Sequence, residues 1–162
     1  MELALELGAD VPFFLDPRPS RVRGIGERVE PVAGIPSLAL LLVNPGLPVA
    51  TAEVYRAFDA LSAPPHREAP ALPDLTRPGV QAGALADLVR NDLEAPAIGI
   101  CPALVGAREA LGTAGALAVW LSGSGGTLYG VFPDLRTAQG AQGKLRLPAP
   151  AWTRVARTLE SG

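Results

Sequence analysis

One cysteine, one histidine and one lysine occur among the 162 residues, and these scarcities exclude several chemistries. The lone Cys101 rules out an internal disulfide and any multi-cysteine metal site. His66 as the single imidazole argues against histidine-based zinc chemistry and against a Ser-His-Asp triad. Aromatics are sparse at 5%, and no apolar run approaches the roughly 20 residues that cross a bilayer. The opening lacks a basic n-region and an apolar h-region, so a cytoplasmic protein is expected. A formal charge of -2 gives no electrostatic reason to bind nucleic acid or an anionic membrane.

What is present is apolar and heavily punctuated. Nearly half of the residues are hydrophobic, chiefly Ala, Leu and Val, which suffices for a core and argues against disorder. Eighteen glycines and seventeen prolines predict short elements and frequent turns. The length fits one domain or a large piece of a two-domain protein.

Met1 to Leu7 reads as the last turns of a helix that Gly8 stops. Val11 to Leu15 is a short apolar run suited to a buried strand or an extended entry. Arg21 to Val32 predicts two short strands joined at a turn around Gly24 and Gly26. Leu38 to Val43 is continuously apolar, as expected of a strand buried on both faces, and breaks at Asn44-Pro45-Gly46. Thr51 is placed to cap a helix that runs to about Leu61, with Glu53 in its first turn.

Ser62 to Gly79 is Pro-rich and predicts a surface loop. Helices are expected from about Gln81 to Arg90, from Pro102 to Gly112 or Gly115, and over Leu135 to Leu145. Ala116 to Leu121 and Thr127 to Phe132 predict a strand-loop-strand unit, and Trp152 to Leu159 a final edge strand. Strands and helices interleave without regular βαβ spacing. The expected class is α+β, a mainly antiparallel sheet covered by helices.

Three groups of residues carry chemical interest. Asp10 lies between Ala9 and Val11-Pro12-Phe13-Phe14, where desolvation favours a base that takes a proton from an alcohol. From the residue alone the better reading is an Asp that makes a local turn or cap ahead of Pro12. Ser122-Gly123-Ser124-Gly125-Gly126-Thr127 follows an apolar strand. Its glycines permit a nest of amides around one anion, with Ser124 and Thr127 adding hydroxyls. A plain hairpin turn is the structural alternative.

Tyr55 and Phe58 lie three apart on the helix after Thr51, where one ring stacks on a flat ligand or both enter the core. Asn91-Asp92-Leu93-Glu94 ends one helix and caps the next element, which requires no function. Cys101 reads as a small apolar filler. Gly143-Lys144 is no P-loop, because Leu145 replaces the magnesium-binding Ser or Thr.

In their order, Leu7-Gly8-Ala9-Asp10-Val11-Pro12-Phe13-Phe14, Gly24-Ile25-Gly26-Glu27, Val43-Asn44-Pro45-Gly46, Thr51-Ala52-Glu53-Val54-Tyr55, Asn91 to Glu94 and Ser122 to Phe132 resemble one family. It is the 4-diphosphocytidyl-2-C-methylerythritol kinases of the GHMP superfamily, and the likeness covers the C-terminal portion of such an enzyme. The resemblance implies that Asp10 is the catalytic aspartate, that Thr51 and Tyr55 bind the cytidyl substrate, and that Gly123, Ser124, Gly125, Gly126 and Thr127 form the phosphate loop. Gly126 stands where the family usually has Ser, so one hydroxyl is absent.

The resemblance also implies ATP and Mg2+ as cofactors and a division into residues 1–35, a remnant of the catalytic-Asp region, and 36–162, the C-terminal domain. No metal-ligating residue is assigned within the chain. The implied partners are the small cytidyl substrate and the missing N-terminal half of the enzyme, which holds the main ATP loop and a lysine. Phosphoryl transfer works by positioning and charge stabilisation, so these residues alone are expected to be inactive. The alternatives are another GHMP small-molecule kinase and a non-catalytic α+β binding module.

Overall fold

The computed structural model describes residues 2–61 and 89–159. The expected loop at 62–79, with His66, and most of the expected helix at 81–90 lie outside the described residues. The elements run α1 (Glu2–Leu7), α2 (Val11–Phe14), β1 (Ser20–Arg23), β2 (Arg28–Pro31), β3 (Ala39–Asn44), α3 (Thr51–Asp59), α4 (Glu94–Ile100), α5 (Ala103–Thr113), β4 (Ala118–Leu121), β5 (Leu128–Phe132), α6 (Leu135–Lys144) and β6 (Trp152–Arg157). They fall into two compact units. The described part of the first is residues 2–37 with 158 and 159, and that of the second is 38–61 with 89–157.

In the second unit β3 takes an interior place in an antiparallel sheet of order β4-β5-β3-β6. Leu41 faces Gly130 of β5 on one side and Val155 of β6 on the other. The run was expected to be buried on both faces. Instead it alternates: Ala39, Leu41 and Val43 are buried, while Leu40, Leu42 and Asn44 are half-buried. A period of two puts the first set on the helix-covered side, where they pack with Val54, Ala97, Leu104, Leu111 and Ala138. The opposite face carries a smaller cluster, in which Ala118, Trp120 and Val131 are joined by Leu38, Leu40 and Tyr129.

The helices supply the cover through small, well-spaced residues. Leu104, Ala107 and Leu111 recur at helical spacing on α5 and are all buried. Ala138 and Ala141 do the same for α6, whose glycines are tolerated because Asp134 caps it by accepting the Thr137 amide. Cys101 is buried and free, filling space as its surroundings implied. Helix α4 is the element that Asn91 to Glu94 leads into; its Ala95-Pro96-Ala97 core lacks a long apolar stripe, and Pro96 stands within its first turn, where a missing N–H costs nothing.

The first unit is smaller. Its hairpin pairs β1 with β2 antiparallel, Val22 opposite Val29, as the two-strand pattern predicted. The expected strand at Val11 to Leu15 is a correction: Val11–Phe14 is a single helical turn, and the Leu15 amide donates to the Pro12 carbonyl at 3.3 Å. Pro12, with its fixed φ and no N–H, suits a first turn better than the middle of a strand. Phe14 and Leu15 are consequently exposed.

Candidate active site

The glycine loop joins β4 to β5 and is held from four directions within the second unit. Its own backbone closes it, the Ser122 amide donating to the Thr127 carbonyl at 2.9 Å and the Gly125 amide to the Ser122 carbonyl at 3.1 Å. Gly123, Gly125 and Gly126 all have positive φ, a region that L side chains rarely adopt. A Cβ on Gly125 would lie 3.2 Å from the Ala97 Cβ and 3.4 Å from a Val49 methyl, so the loop rests closely on α4 and on the segment before α3. The loop's two internal bonds use the Ser122 and Gly125 amides and leave those of Gly123, Ser124 and Gly126 outside its own bonding. Amides that a tight loop does not bond itself are donors that an anion can use.

Side chains supply the other three attachments. Asn44, at the end of β3, donates through Nδ2 to the Thr127 hydroxyl at 3.0 Å, and its Oδ1 accepts the Gly46 amide at 2.7 Å. Thr51 Oγ1 and Ser124 Oγ share a hydrogen bond of 2.9 Å. Asn91 Nδ2 donates to the carbonyls of Leu121 and Gly123 at 3.0 and 2.8 Å. The plain hairpin reading predicts none of these bonds.

Thr51 is therefore no helix cap. The cap position is Ala50, which has no side-chain bond to give, and the Thr51 hydroxyl is turned to the loop. One turn further along α3, Tyr55 is 50% exposed, which removes the possibility that both aromatics belong to the core. Val54 fills that place between α3 and the sheet. Thr51 and Tyr55 stand four residues apart and so share one helix face. The structure thus brings Thr51, Ser124, Thr127 and the three glycines together, with Tyr55 on the same face as Thr51.

Asp10 belongs to the first unit. It lies in a turn closed by the Val11 amide donating to the Gly8 carbonyl at 3.2 Å and occupies the cap position of α2, but its side chain makes no cap bond, so the carboxylate itself does not hold the turn. The expected desolvation also fails, because the residue is exposed despite its apolar sequence neighbours. The side chains of Phe14 and Leu15 turn outward with it in a one-turn helix.

What fixes the backbone beside Asp10 is Gly26. With φ at +119°, its position for a Cβ is already taken by the Ala9 carbonyl oxygen. The hairpin turn closes only because no side chain stands there. Glu27 tightens the same turn by accepting the Ile25 amide at 2.7 Å, and its own amide together with that of Ile25 holds its carboxyl below the ordinary range. The Gly24-Ile25-Gly26-Glu27 stretch had shown a turn; its contact with Ala9 was not visible in local spacing.

A sheet of this order with a clamped glycine loop defines a class. The family described as GHMP kinases C terminal matches residues 69–150, half of the chain, and the chain belongs to the GHMP kinases. Its curated relatives are 4-diphosphocytidyl-2-C-methyl-D-erythritol kinases. That of Methylobacterium radiotolerans is 41% identical over 155 residues, covering 93% of this chain and 52% of the relative. That of Paracoccus denitrificans is 42% identical over 146 residues, covering 90% and 52%.

A crystal structure of 4-(cytidine 5'-diphospho)-2C-methyl-D-erythritol kinase superposes with a TM-score of 0.65 at 32% identity, over 97% of this chain and 56% of that one. Mevalonate kinase of L. major, solved with R-mevalonate, shares the fold at a TM-score of 0.54 and 18% identity, over 83% of this chain and 47% of that one. The chain spans about half the length of the curated relatives it matches.

Proposed function

We propose that the chain forms the C-terminal part of a cytoplasmic, ATP-dependent kinase that phosphorylates 4-diphosphocytidyl-2-C-methyl-D-erythritol in the non-mevalonate route to isoprenoids. The observation that carries this reading is the 2.9 Å bond between Thr51 and Ser124, which sets the head of α3 against the glycine loop. A ring-bearing helix face and a donor-rich loop in contact suit a substrate that joins a nucleobase to phosphates. The names of the relatives support the same choice over other GHMP kinases.

In this proposal residues 1–35 contribute the carboxylate and residues 36–162 the binding surfaces. Asp10 takes the proton of the substrate hydroxyl as its oxygen bonds to phosphorus, and the bond to the departing ADP oxygen breaks. Tyr55 offers its exposed ring to the cytosine. The amides of Gly123, Ser124 and Gly126 and the Ser124 hydroxyl bear on phosphate oxygens.

ATP supplies the phosphoryl group when bound. Among the described residues no three His, Cys, Asp or Glu side chains gather as a metal site. Mg2+ in such reactions is held mostly by phosphate oxygens, water and one or two carboxylates, and no residue of this chain is assigned to it.

The partner is the preceding half of the same enzyme, with its main phosphate loop and lysine. A steady-state kinase assay of the 162-residue chain, alone and joined to that half from a relative, tests the proposal. No turnover is expected from the chain alone and phosphorylation of the cytidyl substrate from the joined protein. Turnover by the isolated chain within tenfold of an intact relative would remove the need for the partner. A joined, folded protein that phosphorylates mevalonate or homoserine instead would remove the substrate assignment.

A further inference from the structure

We propose that Asn91 is a positioning residue that presents the glycine loop to phosphate. Its carboxamide fixes the end of β4 and the first glycine relative to the entry of α4. The inference rests on the reading of this loop as a phosphate surface.

Asn91 uses both amide protons and a carbonyl lone pair at once. Nδ2 donates to the Leu121 and Gly123 carbonyls, 30 and 32 residues away, while Oδ1 accepts the Leu93 amide at 3.0 Å. Leu93 directly precedes α4, and α4 carries Ala97, the residue against which Gly125 packs. One side chain therefore ties the loop's entry to the helix that forms its floor. The second end of the loop is tied separately, through Asn44 and Thr127.

Between these two carboxamides lie the Gly123, Ser124 and Gly126 amides that the loop does not use itself. The direction of the Ser124 amide depends on the Gly123 carbonyl staying where Asn91 holds it, because turning that peptide turns the Ser124 N–H with it; the bond to the Leu121 carbonyl fixes the Ser122 N–H, which closes the loop, in the same way. Few other side chains can replace Asn91. Aspartate keeps the acceptor for Leu93 but has no donor, and serine has a single proton.

The test compares Asn91→Asp and Asn91→Ala with the unaltered 162-residue chain. Amide hydrogen exchange reads the clamp, and titration with inorganic tripolyphosphate reads the phosphate surface. In both variants the Ser122 and Gly125 amides, which close the loop, are expected to exchange about tenfold faster or more, consistent with the loss of two hydrogen-bond donors to the loop's carbonyls. The Leu41 and Val131 amides in the core strands are expected to stay at their original rates. Tripolyphosphate affinity should fall about tenfold or more in both variants.

The neutral alanine separates the lost clamp from simple charge repulsion by aspartate. A merely structural role would speed the core amides together with the loop and leave the affinity of the folded fraction unchanged. That result overturns the proposal, as do variants with loop exchange and affinity like the original. Absence of tripolyphosphate binding by the unaltered chain overturns the phosphate reading itself, and with it the purpose assigned to Asn91. Unaltered binding with variant binding intact overturns the clamp alone.

Discussion

The two units of this chain are held in different ways, one by a closed apolar core and the other by short elements with little buried surface. Among its described residues the second unit buries Leu41, Val43, Val54, Leu104, Leu111, Leu128, Val131 and Phe132 almost completely. The first buries Ala4, Pro12 and Gly26 and exposes Leu3, Leu7, Phe14, Leu15, Val22 and Ile25. A hairpin and two short helices with so little buried apolar surface gain little from the hydrophobic effect. The unit with the closed core holds the glycine loop through side chains from several elements. In the unit with the open surface, Gly26 lies close against the Ala9 carbonyl, one residue before Asp10. Large apolar residues left exposed beside so small a core suit cover by a further part of the protein. The preceding half of the enzyme is the occupant we propose, in keeping with a chain about half as long as its relatives.

The largest effect expected from this contrast is chemical and falls in the first unit. In the enzyme restored to the length of its relatives, Asp10→Asn should lower kcat by about 10²–10⁴-fold while leaving the melting temperature unchanged. Asparagine keeps the size and the hydrogen-bonding reach but not the charge that takes the proton. Since Asp10 makes no cap bond, no stability is at stake in the exchange. A variant with nearly full kcat would return Asp10 to an ordinary surface role. Gly26→Ala sharpens the point, because its methyl must displace the Ala9 carbonyl next to Asp10. Its kcat should fall as well.

Stability should answer in the opposite unit. Leu41→Ala removes a side chain with no exposed surface from the central strand and should cost about 2–5 kcal/mol in denaturant unfolding. Leu7→Ala, at a residue 75% exposed, should change stability by no more than about 0.5 kcal/mol. Equal losses at the two positions would abolish the distinction between a closed and an open unit. In the restored enzyme the Leu7 change should become more costly if the preceding half covers that surface.

Much of this contrast was legible in the residues, and the exceptions have physical causes. The strands β3, β4, β5 and β6 and the loop between β4 and β5 follow from apolar runs broken by Gly and Pro, which are local signals. Val11-Pro12-Phe13-Phe14 misled because β-favouring side chains outnumber the one proline that starts a turn. Thr51 resembled a cap by its place before a helix, yet its hydroxyl is committed to Ser124, 73 residues away. Asn91 resembled a cap for a similar reason, and two of its three bonds are likewise long-range. Helical capping is written in neighbouring residues, whereas a loop clamp appears only when the chain has folded.

A middle-sized effect separates the two surfaces within the second unit. Tyr55→Ala in the restored enzyme should chiefly raise KM for the cytidyl substrate, by the equivalent of about 1–3 kcal/mol if the ring stacks on a base. Its exposure makes a large loss of stability unexpected. Gly125→Val should depress kcat instead, since its φ of +121° and its contact with Ala97 leave no room for a branched side chain. Titrations with the cytidyl substrate beside the kinetics distinguish the two. Unchanged substrate affinity in Tyr55→Ala would detach this helix face from the substrate.

The smallest expected effect is a pH dependence that both units share. The Thr137 amide and hydroxyl hold the Asp134 carboxyl below its ordinary range at the head of α6, and Glu27 is lowered by its own amide and that of Ile25 in the hairpin turn. A carboxyl whose folded pKa is depressed stabilises the fold above its unfolded pKa, and this contribution is lost as pH falls through the folded value. Both losses should therefore begin near about pH 4 and continue below it. Asp134 is exposed and Glu27 is half-buried, and both carboxyls lie within reach of water, so each contribution is expected to be small and weaker in salt. Asp134→Asn should flatten the acid side of the unfolding profile for the second unit only, and Glu27→Gln should do so for the hairpin only, when each is followed by amide exchange between pH 5 and pH 3. If Asp134→Asn loosened the hairpin amides as strongly as those of α6, the two units would be one cooperative structure, and the contrast between them would lose its energetic basis.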